Sequence, residues 1–234
     1  PPRSTLFPYT TLFRSRYFET EQFEAAARAY EKLSAQVSHE DLYLNLGNAY
    51  FRIGNIGQAI WSYEKGHILS PRDQDINYNL NYVQAQVRDR IQPPDDFFLV
   101  AFYRAIIEKL TILDLLTISG ILFMGLGVLY MIRNNGFIFG KIDGLIQSVL
   151  ITAVIATGWI MLDKYWAVSE DQAAIVISSV VDVRSAPIAR GENVVFRIHE
   201  GTKVDISTSQ PGWVEVILLD GKKGWIPSED VRTL

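Results

Sequence analysis

Residues 112–132, ILDLLTISGILFMGLGVLYMI, and residues 145–162, LIQSVLITAVIATGWIML, decide the organisation of this chain. At a rise of about 1.5 Å per residue the first run reaches about 30 Å, the thickness of a hydrocarbon core, and the shorter second run is still adequate. Neither run offers the polar face of a helix half-buried in a soluble core. Both are therefore predicted to be transmembrane helices, joined by a loop over 133–144. Two crossings return the chain to the side it left, so the segments before and after this hairpin are expected to face one compartment.

The flanks of the hairpin suit a membrane interface. Asp114 lies near one end of the first run, within reach of headgroups, and Tyr165 and Trp166 follow the second as interfacial anchors. In the loop, Arg133 and Lys141 stand against Asp143, which by the positive-inside rule places the loop in the cytoplasm and both flanking segments outside it; Arg88, Arg90, Arg104 and Lys109, before the first run, weigh the other way. Gly136, Gly140 and Gly144 are spaced like a helix-dimerisation motif but fall mostly in the loop, where a flexible turn is the better reading. Residues 97–110, FFLVAFYRAIIEKL, read as an amphipathic helix lying along the membrane surface, because Arg104, Glu108 and Lys109 make a simple extension of the first span costly.

Upstream, residues 40–71 read EDLYLNLGNAYFRIGNIGQAIWSYEKGHILSP. Tyr43, Leu46, Gly47, Tyr50, Gly54, Ala59, Tyr63 and Pro71 fall at the offsets of the tetratricopeptide pattern, with Gly66 where Ala is usual. Gly47 and Ala59 are small where two helices must approach, Tyr50 and Tyr63 fill the gaps beside them, and Pro71 stops the second helix. Tyr17, Ala26 and Tyr30 repeat the pattern one unit earlier. After Pro71, Ile76, Leu80, Val83, Val87 and Ile91 form the stripe of a capping helix that Pro93-Pro94 ends, giving a tetratricopeptide-like domain over 16–92. Asn45 and Asn48 are the candidate lining of its concave, partner-binding face; the alternative is that they are consensus residues facing solvent. A carboxylate-clamp groove would by resemblance need Lys or Arg where Asp75 and Asn79 stand. Glu21, Glu24 and Glu31 are expected on a solvated face. Residues 5–15, TLFPYTTLFRS, resemble translated sequencing adapter, so residues 1–15 are set aside from fold reasoning and native sequence is expected to begin near Arg16.

Downstream, over 173–234, the composition shifts to short β-branched runs separated by Gly, Pro and Asp, the pattern of a small barrel, with Asp220-Gly221 opening a tight turn. The set VRSAP, HEGTKV, GWVEV and DGKKGWIP resembles the bacterial SH3 family. SH3 domains dock extended ligands on aromatic side chains, which makes Trp213 a candidate peptide-stacking residue; filling the small core is the equal alternative for Trp213 and the preferred one for Trp225.

The 234 residues carry a formal charge of −4, with a pI near 5.4, and so lack the basic excess that nucleic-acid binding normally requires. No cysteine is present, which removes disulfides, thiolate metal sites and thiol nucleophiles together. His39, His67 and His199 are scattered without ligand spacing, so neither a metal nor a cofactor is expected. With no phosphate-cradling loop, nucleophile elbow or HExxH run, an enzyme is not expected either.

The fold class that emerges is a multidomain membrane protein: an all-α tetratricopeptide-like array, a two-helix transmembrane hairpin and an all-β SH3-like barrel. This arrangement resembles the BatE-type family of the bacterial aerotolerance (Bat) operon. The resemblance implies a non-catalytic inner-membrane scaffold with periplasmic soluble parts, and von Willebrand A-domain membrane proteins and a MoxR-type ATPase as partners in a stress-related envelope complex. The alternative is a wall-binding or wall-sensing protein whose barrel holds peptidoglycan peptides.

Overall fold

A computed structural model of the chain describes residues 18, 20–91, 97–107, 109–135, 141–170, 173–189 and 191–234. The expectations for residues 1–15, Arg16, Tyr17, Pro93-Pro94, Glu108, Gly136 and Gly140, and for the side chains of Lys141, Asp143 and Trp166, lie outside these. The described residues form two compact units, one drawn from Pro1–Asp95 and Asp171–Leu234, the other from Asp96–Glu170.

The first unit begins with four helices, α1 (Phe23–Ser34), α2 (Glu40–Arg52), α3 (Ile56–Leu69) and α4 (Gln74–Gln84). Local chemistry sets their ends. The His39 ring accepts from the Asp41 amide at the start of α2, and the Asp73 carboxylate accepts from the Asp75 and Ile76 amides at the start of α4. Gly54 takes φ +81° in the turn between α2 and α3, a conformation L side chains avoid. Each helix packs on the next through short turns. Between α2 and α3 the fit is close: a Cβ on Gly47 would lie 2.5 Å from the ring of Tyr63, so only glycine admits the ring there.

The same unit contains a seven-stranded antiparallel sheet: β1 (Ala173–Val176), β2 (Val180–Arg184), β3 (Val194–His199), β4 (Lys203–Gln210), β5 (Trp213–Leu218), β6 (Lys223–Pro227) and β7 (Val231–Thr233). Its order is β3-β2-β6-β5-β4-β1-β7. Ala174, Val176, Val181, Val183, Ile198, Val204, Val214, Val216, Leu218 and Ile226 form one apolar core. Asp220-Gly221 turns β5 into β6, with the Asp220 carboxylate accepting from the Lys222 amide at 3.1 Å.

The register corrects one sequence expectation. Trp225 does not fill the barrel core: it alternates with buried Gly224 and Ile226 and is half-buried on the opposite face of β6. Gly224 holds the core side because a Cβ there would meet Val183 at 2.5 Å and the Arg184 carbonyl at 2.8 Å, where β6 presses on β2. The sheet's period of two then sends the adjacent ring outward.

The second unit holds α5 (Phe98–Ile107), α6 (Ile112–Asn134) and α7 (Lys141–Glu170). Two helices are long and apolar enough to cross a membrane, over Ile112–Asn134 and Gly144–Tyr165, with mean hydropathies of 2.2 and 2.0. They pack on one another, and their outward side chains, among them Phe123, Met124, Ile155 and Trp159, are left exposed. Asp114 opens α6 in a capping box: its carboxylate accepts from the Thr111 amide while the Thr111 hydroxyl accepts from the Asp114 amide. α5 exposes Phe98, Leu99 and Phe102, and the Tyr103 hydroxyl donates to Asp163 at 2.9 Å. The Lys164 ammonium donates to the carbonyls of Ile107 and Leu110, satisfying acceptors that the end of α5 leaves open.

Candidate functional site

Two features of the first unit carry functional information: a groove on the barrel and a joint between helices and barrel. The groove follows from the pairing of β5 with β6, which sets Trp213 opposite Pro227 and Glu215 opposite Trp225. Trp213 is half-buried, on the face opposite buried Val214 and Val216. It walls a pocket of about 390 Å³ together with Asp182, Arg184, Arg197, Pro227 and Asp230. Asp182 accepts from Arg197 at 2.7 Å and lies 3.5 Å from Arg184, and Ser178 donates to Asp230. An aromatic wall beside a proline and paired charges offers stacking and hydrogen bonds to an extended chain.

The joint is the feature that sequence spacing did not reveal. The sequence suggests two separate interaction modules; the structure packs them into one body. Arg232 of β7 donates to Glu31 of α1 through both terminal nitrogens, at 2.6 and 3.0 Å, and to Gln58 at 2.6 Å. Its guanidinium lies 3.3 Å from the centroid of the Trp61 ring, whose N–H donates to the Thr233 carbonyl at 2.7 Å. Lys203 pairs with Glu64 at 3.0 Å, and the Gly57 amide donates to Glu200 at 3.2 Å. After α4, Asp89 accepts from the His199 amide at 2.6 Å and the Thr202 hydroxyl at 2.9 Å, and its carboxylate lies 2.8 Å from the His199 ring. Ile175 of β1 is buried with the helical core rather than the barrel core.

Glu31 is thus a partner of Arg232 and of the Tyr50 hydroxyl, 2.6 Å away, and not part of a solvated face. The missed signal lies in α3. Gly57, Ala59, Ile60, Trp61, Ser62, Tyr63, Glu64 and Gly66 are buried, around most of the helix circumference. A helix buried around most of its circumference needs neighbours beyond the adjacent helices, and β1 and β7 supply them.

The remaining candidates fall inside the array. Tyr43 is buried edge-on to Trp61 at 5.9 Å, and Leu46, Ala59 and Tyr63 are buried. Pro71 lies in the turn before α4, its carbonyl accepting from Asn77 at 3.0 Å. Asn45 is half-buried on α2. Asn48 accepts from the Tyr63 hydroxyl at 2.8 Å and from Asn79 at 3.1 Å, so it ties α2 to α3 and α4. Among the described residues, no cluster of three or more His, Asp or Glu could hold a metal ion.

The joint makes stability depend on acid. Burial pushes the Asp89 carboxyl up, but the His199 amide and ring and the Thr202 hydroxyl outweigh it and hold the group below its ordinary value. For Glu31, burial is likewise outweighed, by hydrogen bonds from Arg232 and Tyr50 and by the Arg232 charge. A carboxyl whose pKa is lower folded than unfolded contributes stability above its unfolded value and loses it as pH falls through the folded one. The thermal midpoint of this unit is therefore expected to fall below about pH 4, where ordinary carboxyls protonate. The fall should be smaller in Asp89→Asn and Glu31→Gln. Near-ultraviolet circular dichroism of the detergent-solubilised chain between neutral and acid pH checks this; equal slopes in all three proteins would contradict it.

The small antiparallel barrel is of the SH3 type. A family model described as Bacterial SH3 domain matches residues 179–232, from just before β2 into β7. No curated protein matches the chain.

Proposed function

We propose that this chain is a non-catalytic membrane scaffold. In this reading α6 and α7 cross a bacterial inner membrane, and α1–α4 are tetratricopeptide repeats with a cap. The array and the barrel together present binding surfaces on the periplasmic side. The observation that carries it is the composite unit: the segments before and after the two apolar helices share one body, which requires both on one side of any bilayer the pair crosses. The resemblance to BatE-type proteins supports assembly of an aerotolerance or stress-related envelope complex with von Willebrand A-domain membrane proteins and a MoxR-type ATPase.

Trp213 and its pocket favour a second reading, in which the barrel holds peptidoglycan peptides. Sidedness tests both. A C-terminal epitope tag is expected to be digested by protease added to intact spheroplasts. Protection until lysis would place the composite unit in the cytoplasm, overturning the periplasmic assignment and excluding wall contact. If the tag is digested, sedimentation of the full chain with purified sacculi, lost in Trp213→Ala, would favour wall binding over the scaffold.

A further inference from the structure

The sheet order leaves two edges, β3 and β7, and they differ. β7 is docked on α3 through Arg232 and Thr233. β3 pairs with β2 alone, and its other side faces an open seam of the barrel. The His199 amide points into that seam, where it meets Asp89. Alternation along the strand directs the backbone groups of Arg197 the same way, while the register shift between Val183 and Arg184 leaves Val195 as an unpaired bulge on this strand. Val195 itself is 60% exposed.

Alongside this edge runs a groove of about 790 Å³, bounded by residues 88–91, by β3 and by the β5–β6 turn. Its apolar lining comes from Ile91 and Phe196; Ile198 and Leu218 border it as buried members of the barrel core. Arg88, Arg90, Arg197, Lys222 and Lys223 also line it, against the carboxylates of Asp89 and Asp220 alone. Asp89 is taken up by His199 and Thr202, Asp220 neutralises Lys222, and Arg197 is neutralised by Asp182. Arg88, Arg90 and Lys223 have no carboxylate partner among the described residues. In a chain of net charge −4 this is a local excess of the opposite sign.

A strand edge guarded against pairing usually carries an uncompensated charge of its own. Here the edge residue Arg197 is compensated, while the uncompensated cations sit on the flanking segments, where side chains of an added strand would meet them. We propose that the open edge of β3 is a strand-addition site for an extended segment of a partner protein in which acidic and apolar residues alternate. The partner's backbone pairs at Arg197, its apolar side chains lie on Ile91 and Phe196, and its carboxylates meet Arg88, Arg90 and Lys223. This surface shares Arg197 with the Trp213 pocket and otherwise has its own lining.

The test uses the full chain in neutral detergent and a fluorescein-labelled peptide of alternating Glu and Val, followed by fluorescence anisotropy. Binding is expected to weaken with salt and to fall about tenfold or more, a change of about 1.4 kcal/mol, in Arg88→Glu/Arg90→Glu and in Lys223→Glu. A version of the peptide N-methylated at alternate amides keeps its charge but cannot form the ladder, and should bind at least about tenfold more weakly. Hydrogen exchange should slow at 194–199. Absence of binding, equal binding of the N-methylated peptide, or protection at 213–218 instead would overturn the proposal. So would exclusion of the peptide from chain held in phosphatidylglycerol nanodiscs with Arg88 and Arg90 shielded by lipid, which would make the groove a headgroup site; binding retained in those nanodiscs supports it.

Discussion

Replacement of Trp61 by alanine is expected to destabilise the composite unit by about 3–5 kcal/mol, the range for removing a large buried aromatic side chain. For a body of this size that lowers its thermal midpoint by on the order of 10 °C. Trp61 is 6% exposed, is met edge-on by Tyr43, and gives its N–H to the Thr233 carbonyl. Truncation would leave a cavity between α3 and β7, an unsatisfied carbonyl on the last strand, and Arg232 without the ring beneath it. Because the side chain belongs to both halves of the unit, the loss should appear in both. Hydrogen exchange of the full chain in detergent should accelerate in α1–α3 and in β1 and β7 together. Arg232→Ala should cost about 2 kcal/mol, less than breaking a fully buried ion pair, because Arg232 and Glu31 keep some contact with water. The two substitutions should not add, since they remove parts of one contact. Strict additivity, with exchange in α1–α3 unchanged, would mean that array and barrel do not share a core.

Gly47→Val is expected to cost about 3 kcal/mol, at the upper end for overpacking a well-filled core. The backbone of α2 accepts valine readily, and glycine in a helix interior is itself unfavourable, so helix propensity alone predicts little loss. The cost comes from Tyr63, whose ring atoms would lie 2.5–2.9 Å from the new Cβ. That ring cannot retreat: Tyr63 is 1% exposed, and its hydroxyl is held by Asn48. Adding Tyr63→Leu should restore part of the loss. The comparison of Gly47→Val alone with the double variant separates steric conflict from general damage to the helix. An unchanged midpoint in the single variant would show that α2 and α3 are not in this close register.

What could be read in the sequence followed from locality. The two apolar runs are visible because crossing a bilayer demands a length and a composition, both written in consecutive residues. Gly47, Tyr63 and Pro71 are legible for the same reason: contacts between adjacent helices recur at fixed short offsets. The strands of the barrel announce themselves by alternation and by turn residues such as Asp220-Gly221. For Trp225, ring size suggests core filling, but in β6 the core face falls to Gly224 and Ile226 and the ring turns outward. The joint lay beyond reach. Arg232 and Glu31 are separated by 201 positions, and Trp61 and Thr233 by 172, so no periodicity links them. Glu31 looked like a surface carboxylate because its cation comes from the far end of the chain. The burial of α3 around most of its circumference emerges only in the fold, where β1 and β7 cover it. Asn45, Asn48 and Trp213 show the same limit: residue type marks them as able to bind, but only the tertiary neighbours decide whether that capacity is spent internally, as it is for Asn48.

The shared body also sets an order of events in the life of the chain. α1–α4 leave the ribosome before the apolar helices, with the Trp61 face of α3 bare, and the strands that cover it, β1 and β7, are made only after both apolar helices. Contacts of such long sequence separation form late, and exposed apolar surface attracts chaperones and proteases in the meantime. In the proposed two-crossing arrangement, completion of the fold would report that the intervening hairpin has been threaded and the chain returned to its starting side. In that arrangement a molecule whose second crossing failed would hold its barrel across the membrane from its helices, with the Trp61 face of α3 left open to proteases.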